Sequence, residues 1–134
     1  MKTLLVLEDE PSVMKLLRLI LKGYSVIEAT SAEQALNLVV EHDRRVDLLI
    51  TDVRLPTLSG IQVALRIRSE FPEIPVLLVS GYPAGGWRDV DSADLEQLGA
   101  TALAILPKPF EQHVLLNTVS ELIGSAQPDK ARTA

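Results

Sequence analysis

The sequence predicts an α/β domain with five parallel strands in one sheet and helices on both faces. Three observations predict it. Five short runs, at residues 4–7, 24–29, 46–51, 76–79 and 101–106, have strand length, and most are apolar almost throughout, as strands buried on both faces are. A segment with helical apolar spacing follows each run. Regular strand–helix alternation of this kind calls for crossover connections and hence a parallel sheet.

Each element has a local reason. Leu4-Leu5-Val6-Leu7 is strand one, and it stops at three acids, Glu8-Asp9-Glu10. Pro11 suits an early helix position. Val13, Leu16, Leu17, Ile20 and Leu21 then form the expected buried stripe of helix one, closed by Gly23. Residues 24–29 form a weaker second strand. Thr30 or Ser31 caps helix two, with Ser31-x-x-Gln34 in capping-box spacing. Ala32, Ala35, Leu36, Val39 and Val40 are its stripe. A polar connection, 41–45, leads into strand three, which ends at Thr51-Asp52.

Pro56 and Gly60 break the loop that follows. Ile61, Ala64, Leu65, Arg68 and Phe71 mark helix three. Pro72 and Pro75 bracket the link to strand four, which ends at Ser80-Gly81. The stretch 82–98 is the least regular; a short helix beginning near Asp91-Ser92 is expected, anchored by Leu95 and Leu98 and closed by Gly99. Strand five runs into Pro107-Lys108-Pro109-Phe110. The last helix buries Leu115, Val119, Leu122 and Ile123. The expected division is a domain over residues 1–123 and a disordered tail over 124–134, where the chain turns small and polar.

Composition excludes several functions. The 134 residues carry a net charge of −5, which gives no electrostatic case for nucleic acid or an anionic membrane as direct partner. There are no cysteines, so disulfides, zinc-thiolate sites and a Cys nucleophile are excluded, and a reducing cytoplasm is a compatible location. Met1-Lys2-Thr3 leads straight into a strand, unlike a signal peptide, and no apolar run approaches the roughly 20 residues of a membrane span.

Sites in parallel sheets lie at the carboxyl ends of the strands. There the sequence places Glu8 and Asp9 after strand one, Asp52 after strand three, Ser80 at the end of strand four and Lys108 after strand five. Grouped carboxylates repel, and a hard cation such as Mg²⁺ is their natural compensation. A carboxylate can also be a nucleophile toward phosphorus, with a lysine and a hydroxyl to pair phosphoryl oxygens. Each residue also has a plain structural use. Asp52 can cap a turn, the three acids can complement a helix N-terminus, Ser80 suits a turn, and Arg54 suits the surface. His42, His113 and Trp87 read as surface or contact residues.

The motifs Glu8-Asp9, Asp52-Val53-Arg54-Leu55-Pro56 with Gly60, Ser80-Gly81 and Lys108-Pro109-Phe110 together resemble those of response-regulator receiver domains of two-component signalling, over residues 2–123. The resemblance implies a flavodoxin-like (βα)5 fold with strand order 2-1-3-4-5. It implies Asp52 as phosphoacceptor, fed by a histidine kinase or a histidine phosphotransfer protein. It implies Mg²⁺ held by Asp9, Asp52 and the Arg54 backbone carbonyl, with Glu8 acting through water. Ser80 and Lys108 would bind the phosphoryl group, and the Lys108–Pro109 bond would be cis. Helix four, strand five and helix five would form the output face, toward a protein target or a second copy.

One position departs from the resemblance. Ile105 stands where an aromatic is usual, so the customary aromatic relay is not expected here, and Tyr82 and Trp87 are candidates to replace it. Arg54 and Tyr82 flank the acceptor and are expected to slow dephosphorylation. The wording Val79-Ser80-Gly81-Tyr82-Pro83 resembles receivers attached to hybrid kinases, and the chain length leaves no room for a kinase or DNA-binding domain. The competing class is a small Mg²⁺-dependent phosphatase using Asp52 as nucleophile. It would want an acid two residues on, where Arg54 stands.

Overall fold

The structure, a computed structural model, describes residues 1–42, 45–81 and 88–124. The elements run β1 (Thr3–Leu7), α1 (Pro11–Ile20), β2 (Ser25–Ala29), α2 (Ala32–Glu41), β3 (Leu48–Asp52), α3 (Gly60–Glu70), β4 (Val76–Ser80), α4 (Asp89–Leu98), β5 (Leu103–Pro107) and α5 (Gln112–Ile123). All neighbouring strand pairs are parallel, in the order β2-β1-β3-β4-β5. This is the fold class and the order that the sequence and its resemblance implied.

Period-two alternation divides the core into two layers. Leu5, Leu7, Leu49, Val76 and Leu78 face α2 and α3, packing on Ala35, Val39, Ala64 and Ile67, with Leu98 of α4 at the margin. Leu4, Val6, Leu48, Ile50, Leu77 and Val79 face α1 and α5, packing on Met14, Leu17, Leu115 and Val119. β3 and β4 are buried along their whole length. β5, at the sheet edge, buries only Leu106 fully.

Helix stripes differ from expectation in detail. On α1 the buried positions are Met14, Leu17 and Ile20, continued by Leu21, while Leu16 points to solvent. The thioether of Met14 fills the sheet-facing position, and Leu16 falls on the opposite side of the turn. The helix ends at Ile20, with Leu21 as its C-cap, so Gly23 lies in the turn beyond it. On α2, Val40 is exposed and Ala32, Ala35 and Val39 carry the contact. On α5, Leu115 and Val119 are buried, and Leu122 and Ile123 only partly. The α4 helix starts at Asp89 and closes on Gly99, whose φ of 81° suits a glycine.

Helix entry is fixed by capping. Ser31 Oγ accepts from Gln34 N, while the Gln34 side chain returns to Thr30 N rather than to Ser31, a shifted form of the expected box. On α3 the box is complete, with Gln62 N donating to Ser59 Oγ and Ser59 N to Gln62 Oε1. Gly60 is required there for space. A Cβ would lie 1.8 Å from the Asp52 carbonyl oxygen, so α3 begins pressed against the end of β3. Among the described residues, no helix is long and apolar enough to cross a membrane.

Candidate functional site

Parallel pairing carries the ends of four strands to one edge of the sheet. β1 pairs with β2 on one side and β3 on the other, so the switch in strand order falls between the acids after β1 and the end of β3. Asp52 is in register with Val79, and Ser80 with Pro107. Two backbone bonds tie the ends together: Val53 N to Val79 O (3.0 Å) and Lys108 N to Ser80 O (2.8 Å). An open cleft of ≈ 430 Å³ lies over this edge, lined by Asp9, Glu10, Asp52, Arg54, Ser80, Gly81 and Lys108.

Glu8, Asp52 and Ser80 are buried, Lys108 is partly buried, and Asp9 and Arg54 are exposed. Carboxylate oxygens of Glu8, Asp9 and Asp52 lie within 4.8 Å of one another. Lys108 Nζ donates to Asp52 Oδ1 at 2.8 Å and stands 3.5 Å from Glu8 Oε1. The Glu8 carboxyl also accepts from Glu10 N at 3.1 Å.

The electrostatics follow from this crowding. Burial, and then the hydrogen bond with Asp52, push the Glu8 carboxyl up to about 7. That is how a second buried carboxyl behaves beside a first, and the Lys108 charge offsets only part of the rise. Burial depresses Lys108, but the bond to Asp52 and the charges of Asp52 and Glu8 outweigh it and raise the group above its usual value. The ammonium is thus held charged against the carboxylates.

The structure brings Glu8, Asp9, Asp52, Ser80, Arg54 and Lys108 together, and the Lys108–Pro109 peptide is cis. It does not bring in the histidines. His42 caps α2 through Leu38 O, and His113 is exposed beside Glu111. Tyr82 and Trp87 lie outside the described residues, as does the tail from 125 on. Ile105 is nearly half exposed on β5.

Two charged groups escaped the sequence reading. Asp91 is completely buried in the first turn of α4, paired with Arg88 (Nε–Oδ2 3.0 Å, Nη2–Oδ1 2.9 Å). The signal was an acid three residues after a cap position, which passed for ordinary helix-start chemistry. Arg68 donates to four backbone carbonyls. A lone cation on the apolar stripe of α3 was its trace.

Comparisons with known proteins agree with this geometry. A family model described as the response regulator receiver domain matches residues 4–120. The response regulator GtcR of Aneurinibacillus migulanus is 37% identical over 111 residues, covering 81% of this chain and 42% of that protein. The sensor kinase CckA of Brucella abortus is 34% identical over 124 residues, 90% of this chain and 12% of the kinase. Among solved structures, the Vibrio cholerae chemotaxis protein CheY4 superposes with a TM-score of 0.77 at 25% identity, covering 91% of this chain and 98% of that one. The chain therefore belongs to the response regulator receiver domains, the signalling switches of two-component systems. It spans about half or less of the length of these curated relatives.

Proposed function

We propose that the domain accepts a phosphoryl group on Asp52 from a phosphohistidine and changes its partner binding as a result. One observation carries the reading: a buried strand-end carboxylate paired to a charged lysine, with two further carboxyls in reach. In transfer, an Asp52 carboxylate oxygen would form the O–P bond as the P–N bond to the donor imidazole breaks. The departing nitrogen keeps the electron pair and later takes a proton. Lys108 would follow the negative charge onto the phosphoryl oxygens, and the Ser80 hydroxyl would donate to one of them.

The donor set fits Mg²⁺. It is all oxygen, carboxylate-rich and open to the cleft, and its Glu8 carboxyl is raised by burial and then by the neighbouring Asp52. Asp9 and Asp52 would hold the ion, with the Arg54 backbone carbonyl as third protein ligand and Glu8 acting through water. When bound, the cation supplies charge neutralisation to the phosphoryl oxygens in flight.

The phosphoryl donor would be a histidine kinase or histidine phosphotransfer protein, and the location the cytoplasm. The switched surface would be the α4-β5-α5 face, toward a downstream protein or a second copy. The test is intact mass after incubation with acetyl phosphate, with and without Mg²⁺. A single Mg²⁺-dependent adduct that is missing in Asp52→Asn is expected. Steady turnover of a small phosphomonoester without a stable adduct would favour the phosphatase instead.

A further inference from the structure

The end of β3 is held differently on its two sides. Pairing with β4 runs through Asp52, in register with Val79. Pairing with β1 stops at Leu7 and Thr51, one residue short of Asp52. Past that point other groups fix the chain. Val53 N donates to Val79 O at 3.0 Å, and Gly60 N donates to Val53 O at 2.9 Å. The Thr51 hydroxyl donates to the Asp52 carbonyl oxygen at 3.0 Å.

Thr51 is completely buried. Alternation along β3 puts it on the face of Leu49 and Val53, in the layer packed against α2 and α3. A hydroxyl is costly in that layer unless it is hydrogen-bonded, and valine would fill the same space without it. The hydroxyl also lies beside Gly60. A Cβ there would come within 2.6 Å of Thr51 Oγ1 and 1.8 Å of the Asp52 carbonyl oxygen. The start of α3, the threonine hydroxyl and the Asp52 carbonyl thus meet at one point. A buried carbonyl deprived of its donor carries the full penalty of desolvation, so without the hydroxyl the Asp52–Val53 peptide would tilt toward another partner.

We propose that Thr51 is a positioning residue for phosphoryl transfer: its hydroxyl, bonded to the Asp52 carbonyl, sets the peptide from which the Asp52 carboxylate and the Arg54 carbonyl diverge. The inference deepens the reading of Asp52 as phosphoacceptor and rests on it. The Asp52–Val53 peptide stands directly between the nucleophilic side chain and the residue whose carbonyl that reading gives to the cation. Groups with such roles must keep their places to about 0.5 Å. Support from outside the ligand set typically changes metal affinity or rate by about 10- to 100-fold. Thr51 does not line the cleft, so its effect passes through the backbone.

Variants of the full chain isolate the hydroxyl in two ways. Thr51→Val removes it and keeps the shape. Thr51→Ser and Thr51→Ala both lack the methyl and differ only in the hydroxyl, so this pair decides the matter if Thr51→Val does not fold. Mg²⁺ affinity is read by calorimetry with no phosphodonor present. The rate of adduct formation is read by intact mass, with acetyl phosphate at saturating Mg²⁺, and folding by the urea midpoint. Thr51→Val and Thr51→Ala should each bind Mg²⁺ and form the adduct about 10-fold less well than wild type. Thr51→Ser should stay within about twofold of wild type in both. A threonine that serves packing alone would move the urea midpoints and leave affinity and rate unchanged. Wild-type affinity and rate in Thr51→Val, or equal values in Thr51→Ser and Thr51→Ala, overturn the inference and leave the acceptor in place. No adduct in wild type overturns the phosphoacceptor reading and the inference with it.

Discussion

The side of the sheet that carries Asp52 and its α4–β5 edge are built on opposite terms. Around β1, β3 and β4 the strands are buried almost throughout, a glycine is pressed onto the Asp52 carbonyl, and the carboxyls crowd each other. At the edge, β5 exposes Ile105, and α4 is held by Leu98 with the partly buried Leu95, an ion pair between buried Asp91 and exposed Arg88, and the Arg68 bonds. The difference teaches that one sheet can seat its strand-end carboxylates on apolar packing and its edge helix largely on polar contacts. Under the proposed function, the chemistry would fall on the apolar side and the response on the polar edge.

Substitutions should expose this contrast most strongly at Gly60. Gly60→Ala forces a Cβ into the Asp52 carbonyl and should cost about 4 kcal/mol or prevent folding, as overpacking against backbone does at its worst. A variant as stable as wild type in urea unfolding would show that α3 can move off β3. Next in size is a paired truncation. Leu49→Ala, in the fully buried centre, should cost about 3 kcal/mol, and Ile105→Ala, nearly half exposed, about 0.5 kcal/mol. Equal losses would erase the distinction between platform and edge.

A subtler contrast lies in pH. Glu8 has a folded-state value of about 7, above its ordinary 4.5. The native state therefore keeps a proton that the unfolded chain releases. Stability of the metal-free protein should fall as pH rises from about 4.5 to 7, by on the order of 3 kcal/mol. Glu8→Gln should flatten that fall, and Mg²⁺ should offset it. Asp91 shifts the other way, lowered first by its hydrogen bond to Arg88. Its contribution is present at neutral pH and is lost only as pH drops below about 4, so Asp91→Asn should leave the slope between pH 5 and 8 unchanged. Urea midpoints across that range check both statements.

The platform was legible in the sequence because its signals are local and redundant. Leu4-Leu5-Val6-Leu7 and Val76-Leu77-Leu78-Val79 are apolar without interruption, and each runs into a polar end. Asp52 and Lys108 stand where strands stop, so topology alone places them at one edge. The edge was less legible because its determinants are pairwise and long in range. Nothing near Arg68 says that its guanidinium reaches residues 98–102, and Asp91 looks like any acid in a first turn. Met14 and Leu16 are two apolar neighbours on α1, and only packing decides which one faces the sheet.

The most direct test is to locate the phosphoryl group. After acetyl phosphate and Mg²⁺, borohydride reduction converts an aspartyl phosphate to homoserine, and peptide mass spectrometry shows where. The account predicts homoserine at position 52, lost when Mg²⁺ is withheld. Homoserine at position 9, or at no position in a protein that carries the adduct, would contradict it.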